Sequence, residues 1–410
     1  MATEKFGISL KDIEQASQNL KKILRPTDLV YSDYLSQISG AKVYLKPENL
    51  QVTGAYKIRG AYNKISQLTE KQKKKGLIAA SAGNHAQGVA FAAKKNGVSA
   101  TIVMPVSTPL IKVNATKKLG AKVILHGDCY DDAYNKAHEI AKKEKLTFIH
   151  PFNDWQVISG QGTIGLEILE NMPDVDVILV PVGGGGLISG ISIAVKSKNP
   201  KIKVVGVEPI LADAMYQSVK AKKVVELKSV STIADGVAVK KVGEMAFSVV
   251  SSLVDKIFRV TDTEIMEAFL VLLEQHKLIA EPAGVCSVAA LLDSKINLKG
   301  KKVVAVISGG NIDVMTISAL VSRGLIRLGR VFKFSVDLIN KPGELLAIAK
   351  ILSNEKANVI KIDHDQFETV ERIKSVRLTI TVETEGLGHV KKIKEALKKE
   401  GYNEIQNNNC

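Results

Sequence analysis

Val177-Ile178-Leu179-Val180-Pro181-Val182-Gly183-Gly184-Gly185-Gly186-Leu187-Ile188-Ser189-Gly190 is the stretch on which the reading of the fold turns. Its first five residues are apolar without alternation, the pattern of a strand covered on both faces. The residues beyond the glycines read as a helix beginning near Leu187. Strand, glycine loop and helix in succession are the local grammar of a parallel α/β sheet. Pro181 and the glycines also break the longest apolar run of the chain, 177–195, so it is no membrane span, which needs ~20 unbroken apolar residues.

The same grammar extends on both sides. Short β-branched runs at 43–45, 77–80, 100–104, 122–125, 148–150, 203–207 and 302–307 alternate with helical stretches at 57–68, 85–96, 109–119 and 129–143. Together with 177–181 this makes more units than one open sheet comfortably holds, so two lobes with a cleft between them are expected. A chain of 410 residues also exceeds the ~250–300 at which single cores stop growing. After Gly329 the grammar changes. A half-exposed strand (331–337), the turn Asn340-Lys341-Pro342-Gly343, a helix (344–355), two strands (358–365 and 375–383), a helix (389–400) and a last strand near Glu404 follow. The order βαββαβ is the split βαβ, or ferredoxin-like, arrangement. The predicted boundaries are a first domain over 1–325, with a small lobe of about 47–150 inserted in the large one, a linker at 326–330 and a tail domain over 331–410.

Composition narrows the function classes. With 45% hydrophobic residues and 11 prolines the chain is neither disordered nor collagen-like. Fifty-seven Lys and Arg against 42 Asp and Glu give a net +15, which raises the question of a nucleic-acid partner. The lysines fall instead in short groups along the whole chain, as at Lys73-Lys74-Lys75, Lys94-Lys95, Lys117-Lys118 and Lys398-Lys399, in helical stretches and close to a glycine. Helix C-termini favour cations there. Aromatic residues are only 5%, and no basic run interleaves with stacking rings. Neither nucleic acid nor a membrane is expected as a partner. Cys129, Cys286 and Cys410 form no CxxC pair, and the first residues contain no apolar run, so a reducing, cytoplasmic location is expected.

Four clusters carry the chemistry. The loop Gly183 to Gly186 brings backbone N–H groups together at a helix N-terminus, which suits a phosphate dianion. Neither the dinucleotide fingerprint, whose third glycine position is Ile188, nor the Walker pattern fits; the one Gly-Lys pair, Gly300-Lys301, lacks the following Ser or Thr. A tight turn for helix–sheet packing would need only one or two glycines, so a small phosphorylated cofactor is the better reading. Ser81-Ala82-Gly83-Asn84-His85-Ala86-Gln87-Gly88 follows the strand 77–80 and is either a helix cap or a carboxylate-binding turn. Thr53-Gly54-Ala55-Tyr56-Lys57-Ile58-Arg59-Gly60-Ala61 sets one lysine among small and apolar residues, where desolvation makes an amine nucleophilic. Ser308-Gly309-Gly310-Asn311 ends the buried strand 302–307. The seven histidines form no HxxxH pair, and Gly-x-Ser-x-Gly is absent.

Together these clusters resemble the pyridoxal-phosphate enzymes of the tryptophan-synthase β type (fold type II), and within them the threonine dehydratases and serine racemases. His150-Pro-Phe, Gly160-Gln-Gly-Thr-Ile-Gly and Glu281-Pro-Ala-Gly also read as family sequence, so the resemblance spans about residues 5–325. The tail resembles an ACT domain, a regulatory amino-acid-binding module, by its element order and its Pro342-Gly343 turn.

The resemblance implies pyridoxal 5'-phosphate as cofactor. Lys57 would form the Schiff base and remove the Cα proton. Asn84 would bond the ring hydroxyl, Gly183, Gly184, Gly185, Gly186 and Leu187 the phosphate, and Ser308 would face the pyridine nitrogen. Ser81 and the backbone of Gly83, Asn84 and His85 would hold the substrate carboxylate. A hydroxyl at Ser308 leaves the ring nitrogen neutral and the electron sink weaker, which favours loss of a β-hydroxyl over transamination. Racemases of the family carry a serine where Ala82 stands, so elimination is expected over racemisation. The divalent-cation cluster of some members is matched only in part, because Ala214 stands where a carboxylate is expected near Glu208, and no metal is expected there. Ala55-Tyr56 replaces the family's usual Ser-Phe before the lysine.

The implied activity is L-threonine ammonia-lyase, with L-serine as a slower substrate. The implied assembly is a homotetramer regulated by isoleucine or valine bound near Asn340 and Gly343. The rivals are a serine racemase or dehydratase and a non-catalytic amino-acid sensor.

Overall fold

The computed structural model describes residues 6–292, 296–365 and 375–405. Residues divide into two compact units, Met1–Asp313 and Val314–Cys410.

The first unit is built on two sheets. One contains β1 (Val30–Tyr31), β2 (Lys42–Pro47), β7 (Val177–Pro181), β8 (Lys203–Pro209), β9 (Lys256–Val260) and β10 (Lys302–Ile307), in the order β1-β2-β10-β7-β8-β9. The other contains β3 (Leu77–Ala80), β4 (Ala100–Met104), β5 (Lys122–Leu125) and β6 (Thr147–Phe148), in the order β5-β4-β3-β6, and is contributed entirely by the chain between β2 and β7. All pairings are parallel except that of β1 with β2. Every residue of β3 and β7 is buried, as parallel strands covered by helices on both faces require. Two strands escape the sequence reading. β1 has only two residues, and β9 is an edge strand whose Lys256 and Arg259 interrupt its apolar pattern.

In the second unit β11 (Val331–Ile339), β12 (Asn358–Asp365), β13 (Ser375–Glu383) and β14 (Glu404–Ile405) form an antiparallel sheet in the order β12-β13-β11-β14, with helices Glu344–Asn354 and Leu387–Lys399 completing the βαββαβ order. Val376, Leu378, Ile380 and Val382 of β13 are buried, the last three in one core with Phe332, Phe334 and Val336. The division between units falls after Asp313, ahead of the expected linker. Residues 314–327 form a helix that packs against β11, so the stretch read as the end of the first domain groups with the tail. Cys286 is buried and Cys129 exposed, both as free thiols, and Cys410 lies outside the described residues. Among the described residues no helix is long and apolar enough to cross a membrane.

One buried network fixes the helix Lys57–Ser66. Arg59 is wholly buried, and its Nε and Nη2 donate to the two oxygens of Glu48 at 2.7 Å each. Nη1 and Nη2 donate to Glu167 at 2.5 and 2.8 Å, and Nη1 also to Thr163 Oγ1 at 2.9 Å. Lys46 Nζ closes the array on Glu167 at 2.5 Å and on the Thr27 carbonyl at 2.7 Å. Two cations thus meet two carboxylates, and the strand end β2, the helix Lys57–Ser66 and the helix Trp155–Asn171 are locked together. Burial opposes the Glu167 charge, but Arg59 and then Lys46 hold its carboxyl below the ordinary range. The two helices cross so closely that a Cβ at Gly160 would lie 2.5 Å from the Arg59 carbonyl oxygen.

Removing one partner of a buried pair costs about 3–5 kcal/mol, because the remaining charge stays buried and uncompensated. Arg59→Met should therefore lower unfolding free energy by that order in denaturant titration. Arg59→Lys, which keeps the charge but not the fork, should lose less. A Met variant within ~1 kcal/mol of the parent would contradict this account of the network.

Candidate active site

The four clusters all follow the C-terminal ends of parallel strands, where α/β sheets expose helix N-termini to a cleft. Lys57 lies beyond β2, Ser81 to His85 beyond β3, the glycine loop beyond β7 and Ser308 at the end of β10. Hydrogen bonds join them. Tyr56 N–H donates to the Ser308 carbonyl at 3.1 Å, and Gly310 N–H to the Gly54 carbonyl at 2.8 Å, so the lysine segment runs beside the Ser308 segment. Asn311 Nδ2 donates to the Thr53 carbonyl at 2.8 Å and to Asn84 Oδ1 at 2.7 Å, tying in the turn after β3. Lys57 Nζ donates to the Pro151 carbonyl at 3.0 Å, and the next residue, Phe152, packs its ring against Gly184. The structure thus brings all four clusters to one place.

The glycine loop shows why its sequence is so restricted. Gly185 has φ +90°, and a Cβ there would lie 2.5 Å from Met215 Cε and 2.8 Å from Ala246 Cβ; a Cβ at Gly184 would overlap the Phe152 ring. A Cβ at Gly183 or Gly186 would lie 2.9 Å from the Val237 or Phe152 backbone, still closer than a side chain allows. Packing therefore accounts for every glycine, and the argument that one or two would suffice for a turn does not hold. The sign of an anion site lies elsewhere. Val182 N–H donates to the Val207 carbonyl and Ser189 N–H to the Gly185 carbonyl, but the N–H groups from Gly183 to Ile188 have no partner among the described residues. Gly184 to Leu187 are buried. Buried N–H groups are rarely left unpaired. Converging at the N-terminus of the helix Gly186–Lys198, they fit a phosphate group.

A second open N-terminus belongs to the helix Asn84–Lys95, whose N-cap, Gly83, supplies no side-chain cap. Here the predicted carboxylate-binding set divides. Gly83 N–H donates to Ser81 Oγ at 3.2 Å, so these two engage each other, whereas the Asn84 and His85 N–H groups have no partner among the described residues. The His85 ring is buried and turned to the Ile149 carbonyl, with Nε2 at 2.9 Å. Burial, and then the Lys57 charge, hold it down at about 3, so only its backbone can serve the site. His150 is likewise held down at about 4 by burial first and Lys57 second, and its Nδ1 accepts the Phe152 and Asn153 N–H groups.

Lys57 opens its helix at the crossing with the helix Asn84–Lys95. Burial lowers its amine to about 8, against the opposing pull of Glu281. Glu281 is a site residue to which sequence reasoning gave no role. It is buried, accepts from Asn84 Nδ2 at 2.5 Å, and is pushed up to about 7 by burial and then by Asp235. The available signal was one carboxylate in the apolar stretch from Leu278 to Val288. Glu208 has a different task. Its oxygens accept the Met215 and Tyr216 N–H groups at 3.0 and 2.8 Å, capping the helix Ala214–Ala221, and burial pushes its carboxyl up to about 8. Among the described residues no three His, Cys, Asp or Glu are grouped to hold a metal.

Comparison with known proteins identifies the family. Residues 20–309 match the family described as pyridoxal-phosphate dependent enzyme. The L-threonine ammonia-lyase of Thermotoga maritima is 47% identical over 395 residues, covering 96% of this chain and 98% of that protein. The processed form of threonine deaminase isoform 2 from Solanum lycopersicum superposes with a TM-score of 0.73 at 37% identity, covering 77% of this chain and 89% of the other. Maize serine racemase superposes with a TM-score of 0.74 at 35% identity, over 78% and 99% of the two chains.

The lowered Lys57 amine has a direct consequence. In cofactor-free protein its neutral fraction should rise with a midpoint near pH 8, whereas exposed lysines stay protonated to about 10.4. Acetylation rates measured by peptide mass spectrometry across pH 6–11 should show Lys57 reacting with a midpoint near pH 8, earlier than a lysine in an unstructured model peptide. A Lys57 profile that follows the model peptide would refute the desolvated amine.

Proposed function

The chain belongs to the pyridoxal-phosphate-dependent enzyme family, and from that premise we propose that it is an L-threonine ammonia-lyase, converting L-threonine to 2-oxobutanoate and ammonia, with L-serine giving pyruvate more slowly. The observation that carries this reading is the placing of one desolvated lysine beside a cradle of buried, unpaired N–H groups. The residues fit the cofactor. The N–H groups of Gly183 to Leu187 would hold its phosphate, Lys57 its aldehyde carbon, Asn84 its ring hydroxyl and Ser308 its ring nitrogen. When bound, pyridoxal phosphate supplies an electron sink for the charge left at the substrate Cα.

The chain's own groups do the rest. The Asn84 and His85 N–H groups, with Ser81 beside them, orient the substrate carboxylate at the helix N-terminus. Lys57 would accept the Cα proton at Nζ; an amine near 8 is poised for this around neutral pH. Ala82 offers no acid or base on the other face, which favours elimination over racemisation despite the likeness to maize serine racemase. Ser308 is buried at the strand end, as a neutral partner for a ring nitrogen should be.

The second unit supports a regulatory role. Its βαββαβ element order resembles that of an amino-acid-binding ACT module, and we read residues 331–410 as the regulatory part. An aliphatic amino acid, isoleucine or valine, would bind by the turn from Asn340 to Gly343, where Gly343 begins the helix Glu344–Asn354 without a side-chain cap, at an interface between tails of a homotetramer.

The decisive assay is 2-oxobutanoate release from L-threonine, with and without isoleucine or valine. Turnover should depend on Lys57, and Lys57→Ala should lose the visible absorbance of bound cofactor together with activity. Retained turnover in that variant, or D-serine as the main product from L-serine, would overturn the assignment. An active enzyme indifferent to both effectors would overturn only the regulatory part.

A further inference from the structure

Glu281 and Asn84 are 197 residues apart in sequence and share a hydrogen bond of 2.5 Å inside the first unit. The Asn84 amide is held at both ends. Its oxygen accepts from Asn311 Nδ2, which is itself anchored on the Thr53 carbonyl, and its nitrogen donates to Glu281 Oε1. The Glu281 backbone is anchored as well, donating to the Gly309 carbonyl at 3.0 Å. Glu281 Oε1 fills the place that a side chain at Gly309 would take, directly beside Ser308. Thr53, Asn311, Asn84 and Glu281 therefore form one chain of hydrogen bonds that touches three of the four site clusters. Its direction is fixed: Asn311 presents a donor, so the Asn84 oxygen must face it and the Asn84 nitrogen must face the carboxylate. One Asn84 N–H remains for the site.

We infer that Glu281 is a positioning residue of the proposed reaction, fixing through Asn84 the amide that meets the cofactor's ring hydroxyl and placing a removable negative charge behind it. The inference rests on the function proposed above. The groups facing Glu281 set when that charge is present. Burial and Asp235, from the turn Asp235–Val237, raise its carboxyl, while Asn84, Lys112 and Lys57 act the other way; Lys112, on the helix Leu110–Lys118, is itself paired with Asp235 at 3.1 Å. With the carboxyl at about 7, the charge is present above neutrality and lost as pH falls through it. A carboxylate acceptor draws the Asn84 N–H more strongly than a neutral one, and it also favours the protonated Lys57 amine. The bound cofactor's absorbance, which follows the ionisation of its ring hydroxyl and of the nitrogen it shares with Lys57, should register that loss.

The test uses the full chain loaded with pyridoxal phosphate, read by absorbance from pH 5.5 to 9 and by the cofactor dissociation constant. The parent should show a step in its visible band near pH 7. Glu281→Gln keeps the size and a carbonyl acceptor for Asn84 but carries no charge. It should lose the step while binding cofactor within about threefold of the parent. Glu281→Ala removes the acceptor and should weaken cofactor binding about tenfold or more, the order expected for one hydrogen bond to a charged group. A parent band that does not change between pH 6 and 8, or a Glu281→Gln variant that keeps the parent's step, overturns the inference, and neither depends on the fate of the alanine variant. Failure of the functional proposal looks different: the parent itself would then bind pyridoxal phosphate without a visible band or leave threonine unchanged.

Discussion

The buried array of Lys46, Glu48, Arg59 and Glu167 is the constraint from which the site follows. Arg59 lies two positions after Lys57, so whatever fixes the guanidinium fixes the start of the helix that carries the amine. A hydrophobic side chain at Arg59 could fill the same volume and tolerate small rotations of the helix. A guanidinium forked onto Glu48 on one side and Glu167 on the other cannot, because each N–H has a direction. Burying these charges is costly on its own account. What the array provides is placement. Lys57 is held at the first turn of its helix, and Gly160 lets the helix Trp155–Asn171 approach the Arg59 carbonyl closely enough to keep it there.

That placement matters because the surroundings of Lys57 are built for anions. Two helices, Gly186–Lys198 and Asn84–Lys95, begin at the cleft without side-chain caps. Each presents unpaired N–H groups and the positive end of its dipole. A lysine kept protonated here would add to that field at the cost of its nucleophilicity. Burial resolves the conflict by lowering the amine to about 8, and Glu281 partly opposes the shift. The two N-termini then have separate anions in the proposed reaction, a phosphate at one and a substrate carboxylate at the other. The lysine needs no permanent counter-ion.

Much of this was legible in the sequence because it rests on local patterns. β3, β4, β5, β7 and β10 coincide with their apolar runs, and the tail's alternating strand from Ser375 to Glu383 placed its inward face correctly. The four clusters were visible because glycines and small polar residues after a buried strand mark a strand-end turn. The reason given for the glycines was not. Their packing against Phe152, Met215, Ala246 and Val237 joins residues far apart in the chain, and only the fold shows that the N–H groups, rather than the glycine count, are what would suit an anion. Glu281 was missed for the same reason. A lone carboxylate in an apolar stretch has no periodicity to read, and its partner Asn84 lies in the other sheet's first turn. The helix from Val314 to Arg327 looked like an approach to a linker because its sequence carries no sign of the β11 surface it covers.

The titratable groups around Lys57 also limit what the site can do. His85 must donate Nε2–H to the Ile149 carbonyl, and His150 Nδ1 is spent on two backbone N–H groups, so neither imidazole is free to exchange a proton near neutral pH. Their lowered values, about 3 and about 4, say the same in electrostatic terms. Glu281 can change charge in that range, but its oxygen is directed at Asn84 rather than into the cleft. Of the four titratable groups His85, His150, Glu281 and Lys57, that leaves Lys57 to accept a proton in the proposed reaction. A site with one base on one face can remove a proton and return it only to that face. Ala82, in the turn after β3, brings no acid or base of its own. In the proposed reaction the path left to a β-hydroxy amino acid once its Cα proton is gone is therefore loss of the hydroxyl.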